Sequence, residues 1–325
     1  MLSGLCPSSA AACCTWGVDR KDHADSKPAQ PGGTPGLPAN YPCGGVPVAI
    51  AWTETQYQRL IELNAGEEIC RRSFASPAER DQAFLRLEKE LRAAAREQLE
   101  RLRREHRRPL LCRLSSRLTE ALTGCGFVEV STPLLLAKGL LEKMSITADH
   151  PLYKQIYWVE RGRCLRPMLA PNLYYLLTNL LRLWEHPVRI FEIGSCFRKE
   201  SQGAHHLGEF TMLNLVEMGL PMEQRQERLA RYAALVMEAA GLEDYRLVAK
   251  GSEVYGETID IVAEGVELGS AAMGPHPLDE NWGITVPWVG IGFGLERMIQ
   301  VAQKSGSISS CGRSLSYLDG VRLNI

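Results

Sequence analysis

Two apolar, β-rich runs joined by a polar loop constrain the fold of this 325-residue chain more than any other feature. Residues 188–197 and 211–218 have the composition of strands, and the residues between them, 199–209, are mostly polar. A parallel pairing of neighbouring strands needs a crossover connection of a dozen or more residues, usually a helix. We therefore expect two antiparallel strands joined by a mobile loop.

Helical and strand patterns surround this pair. A capping box at Ser76–Glu79, with Pro77 at the first helical position, predicts the start of a long helix that ends before Pro109. Further helices are predicted over 110–122, 172–184, 220–240 and from a glycine-rich turn at 292–294 to 301. Further strands are predicted over 126–133, 245–249, 258–263 and 266–270. Helices that flank a mostly antiparallel sheet define the α+β class.

Composition excludes several classes of protein. No apolar run reaches the roughly 20 residues that a membrane span needs, so we expect no membrane association. The ten cysteines are scattered without a C-x-x-C pair, which argues against a zinc site and favours a reduced, cytoplasmic location.

Three regions are expected along the chain. Residues 1–50 contain seven Pro and seven Gly without a hydrophobic period, and this composition predicts a disordered tail. Residues 51–109 are expected to form a helical, basic extension, and residues 110–325 a catalytic domain.

The basic character of the extension has two interpretations. Residues 76–117 carry a net charge of +5, which leaves −6 for the rest of a chain whose net charge is −1. Such a surface can be a solvated helix face with Arg–Glu pairs, or it can bind phosphates.

Three short motifs carry the chemistry. The first is Gly126–Pro133, the second is Phe197–Glu200 with Phe210 on the return strand, and the third is Gly292–Arg297. Alone, each has an ordinary structural interpretation: a strand ended by proline, a local ion pair, or a tight strand-to-helix turn.

In this order and at these intervals, the motifs resemble the three signature motifs of class II aminoacyl-tRNA synthetases. Further segments resemble the pyrrolysine-specific branch of that family in its bacterial form: 165–174, 191–194, 198–201, 209–214, 254–256, 288–297 and 313–320. The resemblance is strong over 110–325 and looser over 51–109. It implies a class II synthetase fold with an N-terminal helical extension.

The resemblance implies a catalytic role for two arginines. Attack of an amino-acid carboxylate on the α-phosphate of ATP brings two anions together, so the site needs fixed cations and accurate positioning. Arginine suits this task because its planar fork stays charged and binds phosphate with two hydrogen bonds. Arg198 would bridge the α-phosphate and the substrate carboxylate, and Arg297 would lie at the γ-phosphate and against adenine.

Other residues of the ATP site follow from the same resemblance. Phe210 would stack on adenine and Glu200 would accept a hydrogen bond from its amino group, with His206 and Leu207 nearby. Glu267 and Ser270 match the pair that holds Mg²⁺ in the family, although Glu267 alone could be a strand-edge carboxylate.

The resemblance also implies a deep apolar amino-acid pocket. Its walls would be Ala170, Leu173, Tyr174, Leu177, Val216, Ala272, Trp288 and Gly292. Asn214 would be the polar group that recognises the amide of a lysine derivative, and Tyr255 would close over it as a lid. Without the resemblance, the residues of 173–177 read as helix core and Tyr255 as an exposed turn aromatic.

The implied partners are ATP, pyrrolysine, its amber-suppressor tRNA(Pyl) and a second copy of the chain in a homodimer. Arg101, Arg104 and Arg108 are the candidate tRNA-binding residues. Two alternatives stay open: a class II synthetase for another amino acid, such as phenylalanine or phosphoserine, and an inactive paralogue that binds tRNA.

Overall fold

The computed structural model describes residues 49–199, 207–252 and 254–325. Nearly all of the predicted tail, together with Glu200 and His206, lies outside the described residues.

The α-helices of the described residues follow the predicted pattern in its main elements. They are α1 Glu54–Glu62, α2 Glu67–Cys70, α3 Pro77–Arg104, α4 Leu110–Gly124, α5 Lys138–Lys143, α6 Pro151–Lys154, α7 Ala170–Leu180, α8 Arg225–Ala240 and α9 Leu295–Ala302. The capping prediction for α3 is confirmed, since the Ser76 side chain accepts a hydrogen bond from the Glu79 N–H. The helix predicted over 220–240 begins only at Arg225, because Pro221 precedes a 3₁₀ turn over Met222–Gln224.

The strands form one large and two small sheets. They are β1 Val128–Glu129, β2 Leu135–Ala137, β3 Trp158–Glu160, β4 Arg163–Leu165, β5 Val188–Phe197, β6 Glu209–Met218, β7 Arg246–Ser252, β8 Gly256–Ala263, β9 Val266–Gly274, β10 Trp288–Gly294, β11 Tyr317–Leu318 and β12 Val321–Arg322. The large sheet has seven strands in the order β1-β5-β6-β10-β9-β8-β7. Every pairing in it is antiparallel except that of β1 with β5. The predicted α+β class and the antiparallel pairing of 188–197 with 211–218 are confirmed.

The prediction of a glycine-rich turn at 292–294 was wrong. Gly292 and Gly294 lie inside β10, which is a central strand of the large sheet. They alternate with Ile291 and Phe293, whose side chains are fully buried on the opposite face. In this strand, large apolar residues lie on one face and glycines on the other. Two glycines so close in sequence suggest a turn, because glycine is a common turn residue.

The two faces of the large sheet have different roles. On one face, α4, α8 and α9 pack on Phe191, Leu213, Leu215, Ile291 and Phe293. On the other face, the three-stranded sheet β2-β4-β3 and the helices α5 and α7 form a second apolar core with part of the large sheet. Because successive side chains of a strand point to opposite faces, β6 and β10 contribute to both cores.

The extension before α4 forms a third, smaller core. Trp52, Leu60, Phe74 and Leu87 are buried there, and Trp52 packs edge-on against Phe74 at 4.4 Å between ring centres. No helix among the described residues has the length and apolar character needed to cross a membrane.

Candidate active site

A cavity of about 410 Å³ opens on the sheet face opposite α4, α8 and α9. Its floor follows one row of paired residues across four strands: Asn214 on β6, Gly292 on β10, Ser270 on β9 and Asp260 on β8. All four residues line the cavity. Volumes of this order are typical of small-molecule sites.

Two glycines of β10 keep the floor of the cavity open. A Cβ at Gly292 would lie 3.4 Å from the Met212 methyl group and 3.7 Å from Asn214 Oδ1. A Cβ at Gly290 would lie 3.6 Å from the Val216 side chain. Any larger side chain at these two positions would therefore occupy space between β6 and β9 that the glycines leave to a ligand.

The apolar end of the cavity contains most of the predicted amino-acid pocket. The predicted wall residues that line it are Ala170, Leu173, Tyr174, Val216, Ala272, Trp288 and Gly292. Leu177 does not line it: this residue is fully buried, one turn further along α7, in the core behind Leu173. Its place in the wall stays a prediction, since the structure puts it in the core one turn beyond the residues of α7 that line the cavity.

Tyr255 lies at the turn between β7 and β8, where a hairpin was predicted. Its ring is directed into the cavity and contacts His276 and Trp288, with ring centres 5.6 and 6.2 Å apart. Burial raises the pKa of Tyr255, so its phenol remains protonated. The exposed-aromatic interpretation of Tyr255 is therefore wrong.

The polar end of the cavity holds both predicted catalytic arginines. Arg198 follows β5, donates from Nε to the Pro167 carbonyl at 3.0 Å, and places its guanidinium 5.3 Å from the Phe210 ring centre. Arg297, in α9, donates from Nη1 to the Glu267 carbonyl at 3.2 Å. Both arginines line the same cavity, as does Leu207.

Glu267 and Ser270 are accompanied by two residues that the motifs did not reveal. Asp260, which is 4% exposed, accepts a hydrogen bond from Ser270 Oγ at 2.8 Å. Lys250 Nζ lies 3.1 Å from Asp260 Oδ2 and 3.2 Å from Glu267 Oε2. The hydrogen bond to Asp260 raises the pKa of Lys250, so the ammonium stays charged. Carboxylate and hydroxyl oxygens are the donors that Mg²⁺ prefers, so the oxygens of Glu267 and Ser270 are of the kind that fits the ion, beside the Lys250 ammonium.

Sequence analysis also missed Glu296, a buried carboxylate beside Arg297. Both of its oxygens accept a hydrogen bond from the Thr211 N–H at 2.9 Å, which ties the start of α9 to β6. Burial raises the pKa of Glu296. Its position directly before Arg297 in the third motif is the only signal that could have indicated this role.

A buried ion pair joins the first and second motifs. Arg166 Nη1 donates to Glu192 Oε1 at 2.7 Å, and both side chains are 3% exposed. Glu192 also accepts from the N–H and hydroxyl of Thr132, at 3.0 and 2.7 Å. The Arg166 carbonyl accepts from the Phe197 N–H at 3.0 Å, next to Arg198.

The three candidate tRNA-binding arginines lie away from the cavity, at the end of α3 and in the loop that follows. Arg104 pairs with Glu97 at 2.9 Å, and Arg108 donates to Ser116 Oγ at 2.7 Å. Arg101 is exposed. Neighbouring arginines also pair with glutamates, so the structure contains the ion-paired face that one interpretation expects.

Comparison with known proteins identifies the class of enzyme that this fold and site represent. The sequence profile of the family described as "tRNA synthetases class II core domain (F)" matches residues 97–310. The chain belongs to this family, which confirms the class II synthetase fold predicted from the three motifs.

Solved structures show which members of this family the chain is similar to. The chain is 52% identical to the pyrrolysyl-tRNA synthetase of Desulfitobacterium hafniense, with a TM-score of 0.82 over 86% of this chain and 100% of that one. A second structure of a pyrrolysyl-tRNA synthetase from the same organism is 50% identical, with a TM-score of 0.81 over 87% of this chain and 99% of that one. A threonine–tRNA ligase of Ralstonia nicotianae is 32% identical over 90 residues, which are 26% of this chain and 14% of that ligase.

Proposed function

We propose that this protein is an ATP-dependent pyrrolysine–tRNA ligase. It activates pyrrolysine as an aminoacyl-adenylate and transfers it to the 3′ end of tRNA(Pyl), so that UAG codons are translated as pyrrolysine. The observation that carries the proposal is a single cavity with Arg198 and Arg297 at one end and a long apolar pocket at the other. Similarity to the two Desulfitobacterium structures supports the choice of amino acid.

Activation depends on positioning and charge. The guanidinium of Arg198 is held by the Pro167 carbonyl, so its fork can meet the α-phosphate and the substrate carboxylate without reorganisation. Arg297 stabilises charge on the leaving pyrophosphate, and Phe210 provides a face on which adenine stacks. Donors held in this way need no reorganisation as the reaction proceeds, so they stabilise developing charge more strongly than water does.

The polar cluster on β7, β8 and β9 completes the ATP site. Mg²⁺, when bound, neutralises the phosphate oxygens, and Glu267 and Ser270 are the residues that would hold it. Asp260 orients the Ser270 hydroxyl through their 2.8 Å hydrogen bond. Lys250 offsets part of the charge of the two carboxylates at this end of the cavity.

The apolar end of the cavity selects the amino acid by its size and by a hydrogen bond with the side-chain amide of Asn214. A pocket wide enough for a lysine derivative gains a small increment of binding from each methylene group, about 1–3 kcal/mol. Asn214 lies at the β6 end of the floor, next to Gly292, where its amide recognises the amide carbonyl of the substrate side chain. A substrate without that partner leaves a buried polar group unpaired, which costs about 1–3 kcal/mol. Tyr255 closes the pocket from the hairpin of β7 and β8.

Pyrophosphate exchange tests this function. We expect ATP–pyrophosphate exchange with pyrrolysine and much less with phosphoserine or any standard amino acid. Preferred exchange with phenylalanine or phosphoserine would identify a synthetase for that amino acid. Absence of exchange with every one of them, together with retained tRNA binding, would identify an inactive paralogue.

The basic end of α3 supports tRNA binding in the proposal. Neutralising Arg101, Arg104 and Arg108 together is expected to raise KM for tRNA(Pyl) at least tenfold and to leave pyrophosphate exchange unchanged, because these residues lie away from the cavity. Each phosphate contact removed also lowers the slope of log affinity against log salt by about 0.7–0.9.

The matched control neutralises three exposed arginines elsewhere, Arg182, Arg231 and Arg246. We expect this variant to charge tRNA(Pyl) like the wild type. An equal loss of exchange and charging in the first variant would refute the assignment of these arginines to tRNA.

The proposal also includes a cytoplasmic homodimer. Val128 in the edge strand β1 and the neighbouring Leu134 and Leu135 are each 46–47% exposed, which leaves an apolar surface at the first motif. Light scattering is expected to give twice the 36.1 kDa mass of the chain, and a monomer mass at micromolar concentration would contradict it.

A further inference from the structure

A buried carboxylate lies behind the aromatic end of the cavity. Asp279 is 3% exposed and belongs to the 3₁₀ turn Pro277–Trp282. Its Oδ2 accepts hydrogen bonds from Trp288 Nε1 at 2.8 Å and from the His276 N–H at 2.7 Å. Its Oδ1 lies 3.4 Å from the Tyr174 hydroxyl. Asp279 does not line the cavity, whereas Tyr174 and Trp288 do.

The indole of Trp288 has little room to move. Trp288 pairs with Gly274 in the sheet, and a Cβ at Gly274 would overlap the indole ring. The ring of Tyr174 packs edge-on against Trp288 at 5.9 Å between centres. The indole therefore lies across the strand at a position where its N–H can reach Asp279.

The same turn contacts the lid. His276 Nδ1 accepts a hydrogen bond from the Leu278 N–H at 3.1 Å, which assigns the ring proton to Nε2. His276 Nε2 then donates to the Tyr255 carbonyl at 2.9 Å. One short turn thus holds three aromatic residues of the pocket: Tyr174, Tyr255 and Trp288.

We propose that Asp279 is a positioning residue that determines amino-acid selectivity by holding Trp288 and Tyr174 in the orientations that give the pocket its depth. Three neutral donors converge on this side chain. A carboxylate has two acceptor oxygens for them, whereas an amide has one acceptor oxygen and adds donors of its own. The inference deepens the proposed function and rests on it for the identity of the substrate.

The test is Asp279→Asn, which keeps the shape of the side chain, removes its charge and replaces one of its two acceptor oxygens with an NH₂ donor. We expect KM for pyrrolysine in pyrophosphate exchange to rise about tenfold, while kcat and KM for ATP stay within twofold of the wild type. Glu280→Gln is the matched control, because it removes the same charge one residue away at an exposed position. We expect it to change none of the three parameters.

A double-mutant cycle separates positioning from a general structural role. If Asp279 acts through the indole N–H, Asp279→Asn must have a smaller effect on KM for pyrrolysine in a Trp288→Phe background. Equal effects in both backgrounds, or a parallel rise in KM for ATP, would overturn the proposal. If Asp279→Asn does not fold, Asp279→Ser, which carries one acceptor oxygen and no charge, replaces it in the same cycle.

A measurement without substrate distinguishes failure of this inference from failure of the proposed function. The indole N–H resonance of Trp288, assigned by its loss in Trp288→Phe, is expected to shift in Asp279→Asn and to stay in place in Glu280→Gln. A wild-type protein that shows no exchange with pyrrolysine would refute the proposed function alone. An unmoved resonance in Asp279→Asn would refute the contact on which this inference depends.

Discussion

Replacing Arg198 with Ala is expected to lower kcat for pyrophosphate exchange by about 10²–10³, the usual cost of removing one preorganised donor from a charge-stabilising site. Arg198 is oriented before substrate binds, by its hydrogen bond to Pro167 and by its position over Phe210. Since Ala removes both the charge and the fork, the developing negative charge on the α-phosphate would lose the cation that the proposed function assigns to it. Rapid-quench measurement of adenylate formation checks the effect on the chemical step.

Two further variants show whether the effect comes from the guanidinium of Arg198 itself. Arg198→Lys keeps the charge without the planar fork, so we expect an intermediate rate. Arg163→Ala removes an exposed arginine that pairs with Glu160 and should leave kcat unchanged. A decrease of less than threefold in Arg198→Ala would contradict the role of this residue in the reaction.

Replacing Arg166 with Met is expected to have the largest effect on stability, lowering the free energy of unfolding by about 3–5 kcal/mol. The change leaves the Glu192 carboxylate charged in a site where it is 3% exposed, with Thr132 as its remaining donor. It also removes the Arg166 hydrogen bond to the Ser195 carbonyl, 2.8 Å long. Urea denaturation of both proteins measures the difference.

The double variant Arg166→Met/Glu192→Gln tests the physical cause. Because it buries no unpaired charge, it should recover part of the stability that Arg166→Met loses. Arg163→Ala again serves as the control, since its exposed ion pair contributes only about 0–1 kcal/mol. A single variant within 1 kcal/mol of the wild type would show that the buried pair does not stabilise the fold.

The Arg166 pair also links stability to chemistry. The Arg166 carbonyl accepts from the Phe197 N–H, and the next carbonyl, that of Pro167, accepts from Arg198 Nε. The pair between Arg166 and Glu192 thus fixes the backbone that orients Arg198. A loss of stability at this point is therefore expected to reduce the rate of adenylate formation as well.

Much of the fold could be predicted because its signals are local. The capping box before α3 and the apolar runs of β5 and β6 depend on residues close in sequence, and the structure has all three elements. The glycines of β10 were misread for the same reason: an alternation of glycine with large residues indicates a strand only when a partner strand is known on each side.

Some residues of the candidate site could be predicted from the sequence and others could not. Residues within motifs, such as Arg198, Arg297 and Asn214, could be predicted as site residues because short segments resemble those of a known family, and all three line the cavity. Asp260, Lys250 and Asp279 were not found, because each is an ordinary charged residue in sequence. Their importance comes from neighbours that are distant along the chain, such as Lys250 beside Glu267 or Asp279 beside Tyr174.

The class of fold, the order of the main elements and the two arginines that line the cavity could all be inferred from the chain alone, because periodicity and motifs are properties of neighbouring residues. Three features depend on the three-dimensional fold: Leu177 is buried in the core, Asp260 accepts a hydrogen bond from Ser270, and one short turn contacts the aromatic wall of the cavity. These features arise from strand register and side-chain packing, and both depend on contacts between residues far apart in the chain.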